Sequence, residues 1–183
     1  MSWRSEIRDL AASEGVFTSA QARRLGIPAD ALSYGVRAGY LERIVIGAYR
    51  LVGAGEQVTD ELAALWKLTN PTRFYHERMA QWDGVVVGGT SAAAIHGIGD
   101  FFLAPYRIYT PTRFNSRRKD VRFTVRKIDR SDVQFIAECA VTTPERTIED
   151  LIRDREDPSL VEKATEDLRA GFPARFGGYS GAI

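Results

Sequence analysis

The sequence predicts an α+β protein, and three observations carry that prediction. Residues 15–51 hold two short helical patterns pinched around Gly26-Ile27-Pro28, followed by an alternating stretch with one glycine in it. Residues 106–141 hold a series of short β-rich runs. Residues 143–168 hold two helix starts of the same make, Thr143-Pro144 and Asp157-Pro158, each a capping residue followed by a proline suited to a first helical turn.

Each element follows from local chemistry. Trp3, Ile7, Leu10 and Ala11 repeat at helical spacing, so residues 2–14 read as an amphipathic helix ended by Gly15. Thr18 and Gln21 have the spacing of a capping box, which starts a helix over Ser19–Leu25. That helix stops at Gly26, and Pro28 fits the first turn of the next, which runs to about Ala38. Tyr40–Val45 and Ala48–Leu51 pair as a hairpin turning at Ile46-Gly47. "GAGEQ", residues 53–57, reads as a linker.

Beyond it, Leu62, Leu65, Trp66 and Thr69 mark a helix halted before Pro71, and residues 74–82 a weaker one. Val85–Val87 is a short strand. "TSAAAIHGIG" is a short helix capped by Thr90 or Ser91 and closed by Gly97. Strands follow at Tyr106–Tyr109, Val121–Val125, Val133–Ile136 and Cys139–Val141, then the two proline-started helices. The segment 171–183 is rich in glycine and aromatic residues without periodicity and reads as a flexible tail.

Composition sets bounds on function. A chain of 183 residues can bury a core in one or two domains. No apolar run approaches the roughly 20 residues that span a bilayer. "MSWRSEIRDLAASEG" lacks the apolar core of a signal peptide, so a cytoplasmic location and no membrane partner are the expectation. The single cysteine, Cys139, excludes an internal disulfide and a thiolate cluster, and its apolar context predicts a small buried residue. With only His76 and His96, no multi-histidine metal site can form; no metal, cofactor or catalytic residue is expected.

Two segments carry candidate binding chemistry. In the helix after Pro28, Ala31, Leu32, Gly35 and Val36 share an inward face, and Ala29, Asp30, Ser33, Tyr34 and Arg37 the opposite one. A major groove accepts a helix, and Arg37, Ser33 and Tyr34 supply groups that can reach base edges. Arg23 and Arg24 at the end of the preceding helix, and Arg43 and Arg50 on the hairpin arms, are placed for phosphates. The same spacing also fits a solvated helix face. The second segment, Arg107 to Arg130, holds nine cations against two carboxylates. Its loop "PTRFNSRRKD" gathers Arg113, Arg117, Arg118 and Lys119, with Arg122 and Arg126 just beyond, as a second basic surface for phosphate backbones or an acidic protein. Residues 143–170 carry an excess of acids, so internal pairing can absorb part of this charge.

Enzyme constellations are thin. Ser91 and His96 lie five apart on one helix without a third group. "GGTSAAAIHGIGD" has the glycine-serine start of a nucleotidyltransferase, but that chemistry needs paired carboxylates for metal and Asp100 stands alone.

Three segments in series resemble the AbiEi-family antitoxins. "GVFTSAQARRLGIPADALSYGVRAGYLERIVIGAYRL" is similar to the family's N-terminal winged helix-turn-helix, with Gly47, Tyr49, Arg50 and Leu51 on its closing strand. "TSAAAIHGIG" and "VTTPERTIEDLI" are similar to two later family segments, in the same order. The resemblance implies a winged helix-turn-helix over 1–52 followed by a mixed α/β antitoxin-type C-terminal domain over 57–170. It also implies an antitoxin and autorepressor. Its partners would be operator DNA of its own promoter and a co-encoded nucleotidyltransferase-like toxin, commonly countered without a stable complex. Arg23, Arg24, Ser33, Tyr34, Arg37, Arg43 and Arg50 are then the promoter-contact candidates. The family usually continues with further helices beyond the position of Leu168, where this sequence turns glycine-rich. Two alternatives stay open at this point: a repressor without antitoxin activity, and a nucleic-acid-processing enzyme that docks through its wing.

Overall fold

The structure, a computed structural model, describes residues 3–54 and 57–171. The expected tail lies outside the described residues, apart from Gly171. The chain divides into two compact units, Met1–Gln81 and Trp82–Ile183.

The N-terminal unit runs α1 (Trp3–Glu14), β1 (Phe17–Thr18), α2 (Ser19–Arg24), α3 (Ala29–Arg37), β2 (Leu41–Val45), β3 (Ala48–Leu51), α4 (Asp60–Leu68) and α5 (Tyr75–Ala80). Through β3 this is the element order of a winged helix-turn-helix. Its core gathers Ile7, Leu10 and Ala11 from α1, Phe17, Ala22, Ile27, Leu32, Leu41 and Tyr49. The inward face expected of α3 is the one that packs: Leu32 and Gly35 are buried, and Ala31 and Val36 lie against the core. Gly35 lets β2 pack closely, because a Cβ there would lie 2.7 Å from Leu41 Cδ1 and the Leu41 and Tyr40 side chains would have to shift to admit it.

The capping box forms as expected. Thr18 Oγ1 accepts from Gln21 N at 3.0 Å, and Gln21 Oε1 accepts from Thr18 N at 2.8 Å. Pro28 sits one residue earlier than expected, as the extended N-cap of α3. Strand β1 was not foreseen. Two residues carry no readable period, and only their pairing with β3 (Phe17 opposite Tyr49, Thr18 opposite Ala48) makes them a strand.

Helices α4 and α5 lie in the N-terminal unit, so the divide falls after Gln81 and not at the glycine-rich linker near residue 55. A buried polar hub explains why. The Glu14 carboxylate accepts from Gln21 Nε2 (2.9 Å), Lys67 Nζ (3.1 Å) and Tyr75 N (3.0 Å). Lys67 Nζ also donates to the Glu14 and Val16 carbonyls. Both side chains of the Glu14–Lys67 pair are only 1% exposed. One carboxylate thus ties α1 and α2 to α4 and α5. Beside it, Val16, Val45 and Ala48 pack on Ala64, with Ile44 and Leu68 against them.

The C-terminal unit holds β4 (Val86–Val87), α6 (Gly89–His96), β5 (Tyr106–Thr110), β6 (Val121–Val125), β7 (Val133–Ile136), β8 (Cys139–Thr142), α7 (Pro144–Arg153) and α8 (Pro158–Arg169). Its mixed sheet has the order β6-β5-β4-β8-β7. Strands β5 and β6 pair in parallel, so the basic loop between them is a crossover and not the turn of a hairpin. Ala93 of α6, Leu151 of α7 and Val161 and Ala164 of α8 pack with Ile98 and Phe101. Gly88, not Thr90 or Ser91, is the N-cap of α6. A Cβ at Gly88 would fall within 2.0 Å of the Tyr109 ring, so glycine lets the helix start lie on β5. Thr143 and Asp157 cap α7 and α8 as expected, and Cys139 is buried.

Candidate nucleic-acid interface

Helix α3 is nine residues long, about 13.5 Å at 1.5 Å per residue. Asp30, Ser33, Tyr34 and Arg37 fall at i, i+3, i+4 and i+7, and so form one stripe opposite the buried Leu32 and Gly35. Tyr34 is 56% exposed, Arg37 is exposed and Ser33 half-buried. The Tyr34 ring meets Tyr40 edge-on, centroids 6.4 Å apart, and the Arg4 guanidinium covers Tyr40 at 4.5 Å. Tyr40 therefore fixes the position of Tyr34. Sequence reading missed this support, because only the fold brings residues 4, 34 and 40 together.

The four arginines proposed for phosphates separate in the structure. Arg23 is exposed at the end of α2. Arg43 is exposed on β2, its guanidinium 5.9 Å from the Tyr49 ring. Arg24 is exposed but held: Nη1 and Nη2 each donate to a Glu77 oxygen at 2.6 Å, Nη1 donates to Thr72 O at 3.1 Å, and the group lies 4.7 Å over Phe74. The Arg24 hydrogen bonds, aided by Phe74 N, draw the Glu77 carboxyl down to about 2.

Arg50 corrects the expectation. It is 9% exposed and turns inward, where Nη2 meets Glu42 across the hairpin at 2.7 Å and Nη1 meets Asp60 of α4 at 3.1 Å. The register places Glu42 directly opposite Arg50, within reach of the Glu42 pairing. Arg50 fastens the hairpin to α4.

A helix–turn–helix followed by a short hairpin is the arrangement on which the comparison with known proteins bears. Residues 5–52 match the family model described as "Transcriptional regulator, AbiEi antitoxin". Over these residues the chain is similar to an AbiEi antitoxin regulator domain. The match covers α1 through β3 and stops at Val52, so the description applies to this part of the chain. A comparison with curated proteins gives no match. The AbiEi domain supports a regulatory antitoxin role. No described helix is long and apolar enough to cross a membrane.

Outside the AbiEi domain, the second basic segment is divided as well. Arg113, Arg117, Lys119 and Arg122 are exposed. Arg118 pairs with Asp120, two residues along, and its hydrogen bonds lower the Asp120 carboxyl. Arg126 does not belong to the surface. It donates to Asp150 of α7 at 2.9 Å and to Asp154, the C-cap of that helix, and lies 4.4 Å over the Tyr109 ring. Asp150 is fully buried; burial raises its carboxyl above the ordinary value, against the pull of Arg146 and Arg126. The internal pairing expected between the basic and acidic segments is thus made by Arg126, and by Arg107 with Glu156 at 3.9 Å.

Ser91 and His96 are structural. Ser91 Oγ donates to Leu103 O at 2.7 Å and accepts from Arg107 N at 2.9 Å. His96 Nε2 donates to Thr142 O at 2.6 Å, and Thr142 Oγ1 lies 2.7 Å from Thr147 Oγ1. The "TSAAAIHGIG" and "VTTPERTIEDLI" segments are therefore bolted to each other by His96, Thr142 and Thr147.

Proposed function

We propose that the protein is an antitoxin that binds the promoter DNA of its own operon, represses it, and counters a co-encoded nucleotidyltransferase-like toxin. The stripe of Asp30, Ser33, Tyr34 and Arg37 on α3 carries the DNA part of this reading. It is polar, outward and one helix wide, the form that a major groove admits. Arg37 forks onto a guanine edge, Ser33 and Tyr34 contact neighbouring bases, and Asp30 accepts from a cytosine amine or stays in solvent. Arg23 and Arg43 hold flanking phosphates, and Arg24 joins them when a phosphate displaces Glu77. The toxin part rests on the AbiEi description of residues 5–52 and on the resemblance of the two later segments. Arg113, Arg117, Lys119 and Arg122 offer a second surface to nucleic acid or to an acidic partner.

The test is a gel-shift series on the protein's own promoter fragment against an unrelated duplex. Ser33→Ala with Arg37→Ala abolishes the preference for the promoter. Arg23→Ala and Arg43→Ala weaken binding to both duplexes evenly, and each reduces the salt slope by about 0.9. A series in which all four substitutions are silent overturns the assignment of the reading head. Co-expression with the toxin gene tests the other half: the full chain restores growth, and a chain that does not is a repressor alone.

A further inference from the structure

The crossover from β5 to β6 carries an aromatic ring in the midst of unpaired cations. Because the two strands are parallel, residues 111–120 must travel back along the sheet, from the end of β5 to the start of β6. On that return Phe114 lands on Phe123, the central residue of β6, with ring centroids 4.6 Å apart and the planes tilted by 47°. Strand β6 is the edge strand of the five-stranded sheet, so the contact lies at its margin. Phe123 props the Phe114 ring from one side, and Phe114 remains 37% exposed. Val125, two residues along β6 and so on the same face as Phe123, is exposed too.

The charge around this ring is uncompensated. Residues 111–122 hold Arg113, Arg117, Arg118, Lys119 and Arg122, and Asp120 is the single acid among them. Arg118 takes Asp120. Arg113 donates through Nε to the neutral Asn115 Oδ1 at 3.1 Å. Arg113, Arg117, Lys119 and Arg122 are exposed, and none of them pairs with a carboxylate among the described residues. Arg113 and Lys119 are six residues apart, a reach of at most roughly 20 Å of chain. The free charge is therefore concentrated beside Phe114.

Such a patch attracts a phosphate backbone or an acidic protein, and the ring discriminates between them. Carboxylates would satisfy the cations and leave Phe114 without a partner. In a duplex the bases stack on one another, and their faces are closed to a side chain. In a single strand the faces are open, and a base stacks on an aromatic ring while its phosphates lie among lysines and arginines. We propose that the β5–β6 crossover is a binding site for single-stranded nucleic acid, in which a base stacks on Phe114 and Arg113, Arg117, Lys119 and Arg122 hold the flanking phosphates. This inference rests on the second-surface reading above and is independent of promoter binding by α3. Phe123 is a positioning residue, which holds the Phe114 ring in place. Every base has a face to stack, so the site is tolerant of sequence.

Fluorescence anisotropy of the full-length protein tests the site, with labelled oligo(U) and oligo(dT) as probes and the promoter duplex in parallel. Wild type binds single strands at low salt, and the tighter of the two probes tells RNA from DNA as the ligand. Phe114→Leu keeps an apolar side chain and removes the ring. It weakens single-strand binding roughly tenfold and leaves the promoter duplex unaffected, whereas Phe114→Tyr retains binding. Arg117→Ala with Lys119→Ala flattens the single-strand salt slope by about 0.7 per lost contact. Melting curves verify each fold, and the exposed Arg117 and Lys119 keep the test valid should a change at Phe114 lower stability. Wild type that binds neither oligonucleotide overturns the proposal, as does Phe114→Leu that binds both as the wild type does. If poly-glutamate displaces oligo(U) as well as unlabelled oligo(U) does, and Phe114→Leu is silent, the surface belongs to an acidic protein instead. Loss of promoter preference with single-strand binding intact sinks the promoter reading alone.

Discussion

Replacing Lys67 by methionine tests the hub that makes α4 and α5 part of the N-terminal unit. Methionine keeps most of the side-chain volume and removes the ammonium. The loss strips one hydrogen bond from each of the Glu14 and Val16 carbonyls, and it takes the cation 3.1 Å from the Glu14 carboxylate. Both ends of the pair are 1% exposed, so water does not replace what is lost. Removing one partner of such a pair costs about 3–5 kcal/mol. Gln21 Nε2 and Tyr75 N still serve the carboxylate, which places the expectation at the lower end, about 3 kcal/mol.

A unit of this size has a total stability of roughly 4–12 kcal/mol. Its melting temperature should fall by at least about 12 °C, at 4–8 °C per kcal/mol. Circular dichroism melts of the full chain measure it, with Trp66 emission, read in a Trp3→Phe and Trp82→Phe background, as the local probe. Trp66 is buried in α4 beneath the Arg78 guanidinium, 3.4 Å from the ring centroid, so its signal follows this unit. Adding Glu14→Gln to Lys67→Met removes the orphaned charge while leaving an acceptor for Tyr75 N, and the double variant should be more stable than Lys67→Met alone. A single variant within about 1 kcal/mol of the wild type would refute the hub as the element that joins α4 and α5 to the winged core.

Two further outcomes are expected in the C-terminal unit. Burial lowers the His96 pKa below its ordinary 6.5 although Thr142 O partly opposes this. The unfolded chain then binds more protons, so stability is complete above about pH 6.5 and declines as the pH falls below it. Melts from pH 7.5 to 5.5 should show the decline, and His96→Gln, which retains a donor for Thr142 O, should flatten it; an unchanged slope removes His96 as its source. Arg126→Ala leaves the buried Asp150 with Arg146 as its main partner and should destabilise the unit by about 2 kcal/mol in urea titrations. Arg117→Ala, on the exposed part of the same basic segment, should change stability by less than about 0.5 kcal/mol, and equal effects of the two would contradict the division drawn between them.

Much of the fold was legible because its signals are local. The Thr18–Gln21 capping box, the stop at Gly26, the turn at Ile46-Gly47 and the caps at Thr143 and Asp157 all lie within four residues of what they control. The open face of α3 was legible from its period. Arg24, Arg50 and Arg126 were not, because an arginine reads the same in sequence whether it faces solvent or a carboxylate. Their partners, Glu77, Asp60 and Asp150, lie 53, 10 and 24 residues away and become neighbours only on folding.

The sequence by itself therefore determined the succession of helices and strands, the polar stripe of α3 and the AbiEi kinship of residues 5–52, since periodicity, capping and motif are properties of contiguous residues. The tertiary structure alone decided the two-residue strand β1, the parallel pairing of β5 with β6, the place of α4 and α5, and which cations remain at the surface. These depend on which distant groups share a space with little water, where a carboxylate must be paired and an isoleucine at a turn can be left outside.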